Sequence, residues 1–162
     1  MRRLDGLLNK PVHIGSLVLD GPLLLAPMAG ITYYPFRLLA REQGCSLTCS
    51  GLISAHALVQ KGEVPKDLSY GLEEKPFAIQ LVGADPRLMA EAAVIAQEKG
   101  ADAVDINLGC SVRKVLKSGG GAALLKEPQR IREILDRVVE SVRVPVTVKL
   151  RIGYDHRSIN VL

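Results

Sequence analysis

The side chain with the most chemical potential in this sequence is a cysteine that follows an apolar run. Cys110 comes after Ala103–Leu108 and Gly109, and the cations of Arg113 and Lys114 follow within four residues. Neighbouring cations favour the nucleophilic thiolate, whereas a neutral thiol can donate a proton. An inert buried cysteine remains the alternative, so its role depends on what the fold places beside it.

Two polar side chains interrupt segments that are otherwise apolar. Gln80 lies within Phe77–Val82, and Lys149 lies within Val144–Leu150. A buried amide needs hydrogen-bond partners, and a buried ammonium is costly unless an anion meets it. A flat heterocycle with several donors and acceptors would satisfy both groups. A core amide satisfied by the protein, and a strand-end lysine that reaches solvent, are equally open alternatives.

Short apolar runs alternate with helical patterns along the chain. A hairpin is predicted at 12–21, and Thr32 is predicted to cap a helix from Pro35 to about Gln43. Further helices are predicted to begin at Pro86 and Pro128. The predicted strands are Leu23–Pro27, which should be buried on both faces, Ser46–Leu52, Phe77–Val82, Ala103–Leu108 and Val144–Leu150.

Alternating strands and helices predict a parallel sheet, in which functional sites lie just past the carboxyl ends of the strands. Four groups fall at such ends: Pro27-Met28-Ala29, Gln80, Asn107 with Cys110, and Lys149. Periodicity does not separate an open doubly wound sheet from a (β/α)8 barrel. A complete barrel takes about 250 residues, so 162 residues predict either an open sheet or an incomplete barrel.

Composition and charge narrow the class of protein. Hydrophobic residues make up 48% and charged residues 23% of the chain, as in globular domains. No apolar run approaches the roughly 20 residues of a membrane span. The net charge of +4 permits a polyanionic partner. The three cysteines are an odd number, which predicts free thiols in a reducing cytoplasm.

Two further patterns favour ordinary structural explanations. Cys45 and Cys49 have a C-x3-C spacing, but no second ligand pair completes a zinc site, so no metal is expected. The segment Ser118-Gly119-Gly120-Gly121 is rich in glycine but lacks the Gly-Lys-Ser/Thr of a P-loop. It is predicted to be a flexible surface loop. The cations at 113, 114 and 117 are either phosphate contacts or a solvated face.

Four segments, taken together, resemble one enzyme family. They are APMAGITYYPFR at 26–37, FAIQLVG at 77–83, INLGCSVRKVLKSGGGAALL at 106–125 and PVTVKLRIGYD at 145–155. In this order they are similar to segments of the tRNA-dihydrouridine synthases, and the third segment is the most specific. The resemblance extends from about residue 13 to residue 158.

This resemblance implies an α/β fold, a (β/α)8 TIM barrel truncated to about its first five strands. Residues 1–162 would be the N-terminal portion of one catalytic domain, without the C-terminal barrel half and the helical tRNA-binding domain. Such enzymes bind FMN, use NADPH as reductant and reduce uridine in tRNA to 5,6-dihydrouridine. By likeness, Cys110 is the general acid and Asn107 holds the uracil. The remaining assignments are the flavin contacts Pro27, Met28, Ala29, Gln80 and Lys149, and the tRNA contacts Arg113 and Lys114.

The sequence departs from the family pattern at three places. Ser111 replaces the proline that usually follows the catalytic cysteine, which is expected to loosen that turn. Tyr33 stands where an acidic residue is frequent, and Ser50-Gly51-Leu52 replaces Thr-Glu-Met. Two other functions therefore stay open. One is a different FMN-dependent barrel dehydrogenase that acts on a small pyrimidine, and the other is an inactive fragment that self-associates through an open sheet edge.

Overall fold

The computed structural model of the chain describes residues 10–66 and 71–160. Its strands are β1 (Val12–Ile14), β2 (Leu17–Leu19), β3 (Thr48–Cys49), β4 (Ile53–Ser54), β5 (Phe77–Val82), β6 (Ala103–Leu108) and β7 (Val146–Leu150). Its α-helices are α1 (Tyr34–Glu42), α2 (Ala55–Lys61), α3 (Pro86–Glu98), α4 (Arg113–Lys117) and α5 (Pro128–Ser141). Short 3-10 helices cover Leu72–Glu74 and Gly121–Lys126.

The main sheet is parallel and has the order β3-β5-β6-β7, and β4 also pairs with β5. The strands β1 and β2 form a separate antiparallel hairpin, as predicted. Strand, helix and parallel strand alternate from β5 to β7, so each crossover covers the sheet with a helix. The sheet curls into part of a (β/α)8 barrel, which confirms the fold class expected from the resemblance.

The second predicted strand, Ser46–Leu52, is interrupted. Thr48 pairs with Phe77 at the start of β5, and Ile53 pairs with Leu81 near its end. Between these points Ser50 Oγ accepts a hydrogen bond from Gln80 N at 2.9 Å, in the place of a strand carbonyl. Such interruptions re-aim backbone and side chains and are frequent next to active sites.

The prediction that Leu23–Pro27 is a strand buried on both faces is wrong. This segment makes a single parallel bridge, Leu24 with Leu47, and Leu23 and Leu24 are 45% and 50% exposed. Along the described residues no strand pairs with its outer side, so the burial that parallel strands normally gain on both faces is absent there.

The predicted Thr32 cap is also wrong. Helix α1 follows Tyr33, which makes no side-chain cap, and Pro35 lies in the first turn. The Thr32 hydroxyl instead donates to Met28 O at 3.0 Å and accepts from Met28 N at 3.1 Å. The buried threonine therefore closes the turn after the first apolar segment rather than starting the helix.

The core lies between the sheet and helices α3 and α5. Phe77, Ile79 and Leu81 of β5 pack with Met89 of α3 and Ile134 of α5, all fully buried. The helix predicted from Pro128 is confirmed, although Val139, one of its predicted apolar positions, is 57% exposed. None of the helices in 10–66 and 71–160 is long and apolar enough to cross a membrane.

A buried ion pair holds α1 against the sheet. Arg37 and Glu74 are both fully buried, and the Arg37 Nε donates to a Glu74 carboxylate oxygen that also accepts from Thr48 Oγ1 at 2.7 Å. The Arg37 guanidinium further donates to Thr32 O at 2.7 Å and lies 4.7 Å from the centre of the Phe77 ring. One side chain thus ties the turn after Met28 to the sheet.

Candidate active site

Six of the nine predicted site residues line a cavity of about 270 Å³, which we call the site cavity. This volume is slightly below the range of roughly 300–1,000 Å³ that ligand sites show. It opens at the carboxyl ends of the strands, where the sequence places the functional groups. The lining residues are Pro27, Ala29, Leu52, Gln80, Asn107, Gly109, Cys110, Lys149, Leu150 and Arg151.

A chain of buried hydrogen bonds crosses the sheet beneath the site cavity. Thr147 Oγ1 donates to Asp105 Oδ1 at 2.6 Å, and Gln80 Nε2 donates to Asp105 Oδ2 at 2.6 Å. Asn107 Nδ2 donates to Gln80 Oε1 at 2.9 Å. The strand register makes this possible, because Gln80 and Thr147 lie directly beside Asp105 on the neighbouring strands. Gln80 is therefore a buried amide whose partners lie within the protein.

The Asp105 carboxylate sets the donor-to-acceptor direction of this series of hydrogen bonds. Both carboxylate oxygens of Asp105 accept hydrogen bonds, so the nitrogen end of the Gln80 amide faces Asp105 and the oxygen end faces Asn107. The Asn107 oxygen then accepts from Gly109 N at 3.1 Å and Cys110 N at 2.9 Å. The orientation of the Asn107 amide thus restrains the backbone at Gly109 and Cys110.

Asp105 and Thr147 are absent from the residues that sequence reasoning selected. The signal for Asp105 was present, because an acidic residue two positions before Asn107 in a strand points to the same face. The substitution of Ser50-Gly51-Leu52 for Thr-Glu-Met was expected to remove a carboxylate from the site region. Asp105 supplies a carboxylate beside Gln80 nevertheless.

The turn that carries Cys110 is held from three sides. Besides the Asn107 bonds, Cys110 O accepts from Ala122 N at 2.9 Å. Arg151 Nε donates to Gly109 O at 2.7 Å, and its Nη2 lies 3.5 Å from Ser111 Oγ. The hydroxyl contact is one that the usual proline could not make. The expected loosening at Ser111 stays a prediction, and these bonds are the restraints that act against it.

The glycine segment is not simply a flexible surface loop. Gly120 and Gly121 are buried, and Gly121 begins the 3-10 helix with a φ of +60°. A Cβ at Gly121 would lie 2.6 Å from Cys110 O and 2.9 Å from Val115 Cγ1. Only glycine accepts both this φ and this approach at no steric cost, so the segment packs directly on the cysteine turn.

The other predicted residues lie at different distances from the site cavity. Lys149 lines it, is exposed, and lies beside Asn107 in the β6–β7 register. Met28 does not line it, although its neighbours Pro27 and Ala29 do. Arg113 and Lys114 are exposed residues in the first turn of α4 and also lie outside it. Lys149 is therefore exposed at its strand end, and its role at a flavin edge stays a prediction.

The three cysteines have different environments. Cys49 is buried in the sheet, and burial is the main reason why the pKa of its thiol is raised well above its ordinary value. Cys45 is half-buried, with its Sγ 3.0 Å from Leu47 O. Cys110 is half-buried and lines the site cavity. Among the three, Cys110 combines access with a position beside polar groups.

The helix ends that face the site carry positive charge. None of the five α-helices in the described residues has an acidic residue in its first turn. Arg87, Lys114 and Arg130 lie in the first turns of α3, α4 and α5. Because helix N-termini already carry partial positive charge, these cations add to the field there, whereas the acidic N-cap residues Asp85 of α3 and Glu127 of α5 offset part of it.

The fold and this site define a class. The curled parallel sheet is part of a (β/α)8 barrel, and it carries a cysteine, an asparagine and a glutamine at its carboxyl-terminal face, where such barrels place their active sites. The family model described as "Dihydrouridine synthase (Dus)" matches residues 24–162. The chain belongs to the dihydrouridine synthase family.

Curated relatives support this membership over nearly the whole chain. It is 43% identical to tRNA-dihydrouridine synthase B of Pasteurella multocida (strain Pm70) over 152 residues, which are 93% of this chain and 46% of that protein. It is 40% identical to Probable tRNA-dihydrouridine synthase 1 of Synechocystis sp. (strain ATCC 27184 / PCC 6803 / Kazusa), covering 94% of this chain and 43% of that protein. The chain thus spans less than half the length of these relatives.

Solved structures share the fold at low identity. Histamine dehydrogenase from Rhizobium sp. 4-9 matches with a TM-score of 0.62 and 13% identity, covering 90% of this chain and 34% of that chain. The 6-hydroxypseudooxynicotine amine oxidase (HisD) from Pseudomonas geniculata N1 matches with a TM-score of 0.65 and 15% identity, covering 91% and 33%. At these identities the likeness supports the architecture alone.

Proposed function

We propose that the chain forms the N-terminal part of a flavoenzyme that reduces uridine in tRNA to 5,6-dihydrouridine, with FMN as cofactor and NADPH as reductant. The observation that carries the proposal is the convergence of Cys110, Asn107, Gln80 and Lys149 on one cavity. The family membership adds the substrate class, because the relatives are named tRNA-dihydrouridine synthases. The rest of the barrel and a helical tRNA-binding domain would complete the enzyme.

The residues present fit a flavin ring. The Gln80 amide has two N–H groups and one of them goes to Asp105, so the second has capacity for a ring acceptor. Pro27 and Ala29 offer a small apolar surface, and the exposed Lys149 offers a cation for the electron-rich edge. The bound flavin would supply the hydride for the reduction of uracil.

Cys110 is suited to deliver the proton that uracil reduction needs. Its backbone N–H is bound by Asn107 Oδ1 and its carbonyl by Ala122 N, so the side chain starts from a fixed backbone. Asn107 keeps one amide N–H beyond its bond to Gln80, which can donate to a uracil carbonyl. Acid and binding group thus come from one turn, four residues long, at the end of β6.

The polyanionic substrate suits the charge of this face. A uridine inside folded tRNA must be unstacked to reach a cavity at the sheet edge. Cations at the N-termini of α3, α4 and α5, including Lys114, can hold the flanking backbone while this occurs. Such a protein acts where tRNA is processed, so we propose a cytoplasmic location.

The first test is the visible absorption spectrum of the chain after addition of FMN and desalting. A retained flavin band supports a cofactor site on these residues, and Lys149→Ala is expected to weaken retention, with Lys61→Ala on the remote C-terminal end of α2 as the control. A colourless protein that elutes as a dimer would favour the self-associating alternative instead.

The second test addresses the acid. In a chain extended to the length of its relatives, Cys110→Ala is expected to slow uridine reduction in tRNA by about 10²–10⁴-fold while flavin stays bound. Cys45→Ala is the matched control, since Cys45 lies outside the site cavity. Normal turnover of the Cys110 variant would remove the acid assignment. Reduction of free uracil with no reduction of tRNA would favour the small-pyrimidine alternative.

A further inference from the structure

A second cavity lies next to the site cavity, and two of the helix-terminal cations described above line it. It has a volume of about 680 Å³, and we call it the side cavity. Leu52 lines both cavities, so the two adjoin at this residue. This volume is well inside the range of sites that bind small molecules or single nucleotides.

The floor of the side cavity is apolar. Leu52, Val82, Leu88 and Val115 line it, from β5 and from the segments around it. The glycine segment supports this floor from behind, because the backbone at Gly120 lies close enough that an added Cβ would be 3.4 Å from Val82 Cγ2. An aliphatic floor of this kind favours the face of a flat ring over a hydrated ion.

The rim carries cations on an apolar background. Lys114 and Arg130 line the side cavity from the first turns of α4 and α5, where a cation opposes the helix dipole. Arg130 makes an exposed pair with Glu133 at 3.4 Å, which holds it weakly. Ser54, His56 and Ser118 are the further uncharged or weakly basic polar residues there. A bound anion would offset the unfavourable placement of both cations.

The acidic residue of the rim is already engaged. Asp85 Oδ1 accepts from Arg87 N at 2.8 Å and Leu88 N at 3.0 Å, as the N-cap of α3. These backbone donors, chiefly Leu88 N, hold the pKa of Asp85 below its ordinary value. The carboxylate is therefore ionised at neutral pH and directed at the helix, and its charge also acts on Arg130, one of the two cations available to a ligand.

We infer that the side cavity binds a nucleotide of the RNA strand adjacent to the one whose base enters the site cavity. The ring lies against the apolar floor and the phosphate lies at Lys114 and Arg130. This subsite rests on the proposed function for the nature of the strand. It gives Lys114 a phosphate contact, as the sequence suggested, and adds Arg130, His56 and Leu88, which the sequence did not single out.

The test is the binding of a 5′-fluorescein-labelled single-stranded hexaribonucleotide to the 162-residue chain, measured by anisotropy at several salt concentrations without flavin. Lys114→Gln and Arg130→Gln are each expected to weaken binding about fivefold and to lower the salt-dependence slope by about 0.7. Leu88→Ala is expected to weaken binding with an unchanged slope. Arg137→Gln, on α5 but outside the side cavity, is the matched control, and circular dichroism verifies that each variant is folded.

Several outcomes would overturn the inference. They are a wild-type chain that does not bind the oligonucleotide, cavity variants that behave like Arg137→Gln, and variants that weaken NADPH binding while leaving RNA binding unchanged. Failure of the proposed function is distinguishable from these, because it would show as absent flavin retention or absent uridine reduction. The oligonucleotide experiment depends on neither of those readouts.

Discussion

Gly121 is where backbone conformation and the position of the candidate acid are most directly coupled. Its φ of +60° costs an alanine about 1–2 kcal/mol. The added Cβ would also lie 2.6 Å from Cys110 O and 3.1 Å from Cys110 Cβ, and the first of these neighbours is backbone. Overlap of this kind typically adds about 1–3 kcal/mol, so Gly121→Ala is expected to lower the free energy of unfolding by about 2–5 kcal/mol.

The matched control is Gly62→Ala. Gly62 has a φ of +65°, nearly that of Gly121, but nothing lies within 4 Å of its added Cβ. It reports the cost of the left-handed backbone alone, about 1–2 kcal/mol. The difference between the two variants in urea unfolding, about 1–3 kcal/mol, therefore measures the contact with the cysteine turn.

A second readout separates a local shift from general unfolding. Alkylation of each cysteine is followed by mass spectrometry of its peptide under native conditions. Gly121→Ala is expected to change the rate at Cys110, because the turn must move away from the new methyl group. Cys49, which is buried with a raised pKa, should stay unreactive. Equal stabilities of the two alanine variants, or an unchanged rate at Cys110, would refute the reasoning.

Two further predictions concern the scaffold. Glu74→Ala removes the carboxylate that pairs with the fully buried Arg37, and it is expected to lower the free energy of unfolding in urea by about 3–5 kcal/mol. The control Asp136→Ala removes an exposed pair at 3.6 Å and should lower it by less than about 0.5 kcal/mol. Similar losses for the two variants would contradict this. Asp85→Ala is expected to cost about 1 kcal/mol at pH 7. Because the pKa of Asp85 is lowered in the folded chain, chiefly by Leu88 N, this contribution exists above the ordinary value of 3.8 and disappears as the pH falls through the folded pKa. A difference that does not shrink as the pH is lowered below 3.8 would count against it.

Long periodic segments were predictable, and short or edge segments were not. The β5, β6 and α3 segments lie where apolar runs and helix signals indicate, because their burial is the same in any layered α/β fold. Leu23–Pro27 has the composition of a central strand, but composition does not report the absence of a partner strand. Thr32 has the side chain of a helix cap, and the nearer backbone of Met28 took its hydrogen bonds instead.

The candidate site likewise contains residues that the sequence predicted and residues that it did not. Cys110, Asn107, Gln80 and Lys149 were selected from residue type and strand-end position, and the structure brings them to one cavity. Their functional roles stay predictions. Met28 was selected as part of a motif, and the turn closed by Thr32 leaves it outside the cavity. Glycine content alone did not indicate that Gly121 is buried against the cysteine turn.

The sequence by itself determined the parallel α/β class and the family, and it selected the candidate site residues, because these depend on local periodicity and on motifs read within one segment. The tertiary structure decided what those residues bind. Asp105 lies 25 residues from Gln80 and 42 from Thr147, and strand register alone makes them neighbours. The orientation of Gln80 and Asn107 follows from that carboxylate, since hydrogen bonds depend on distance and direction in space rather than on separation along the chain.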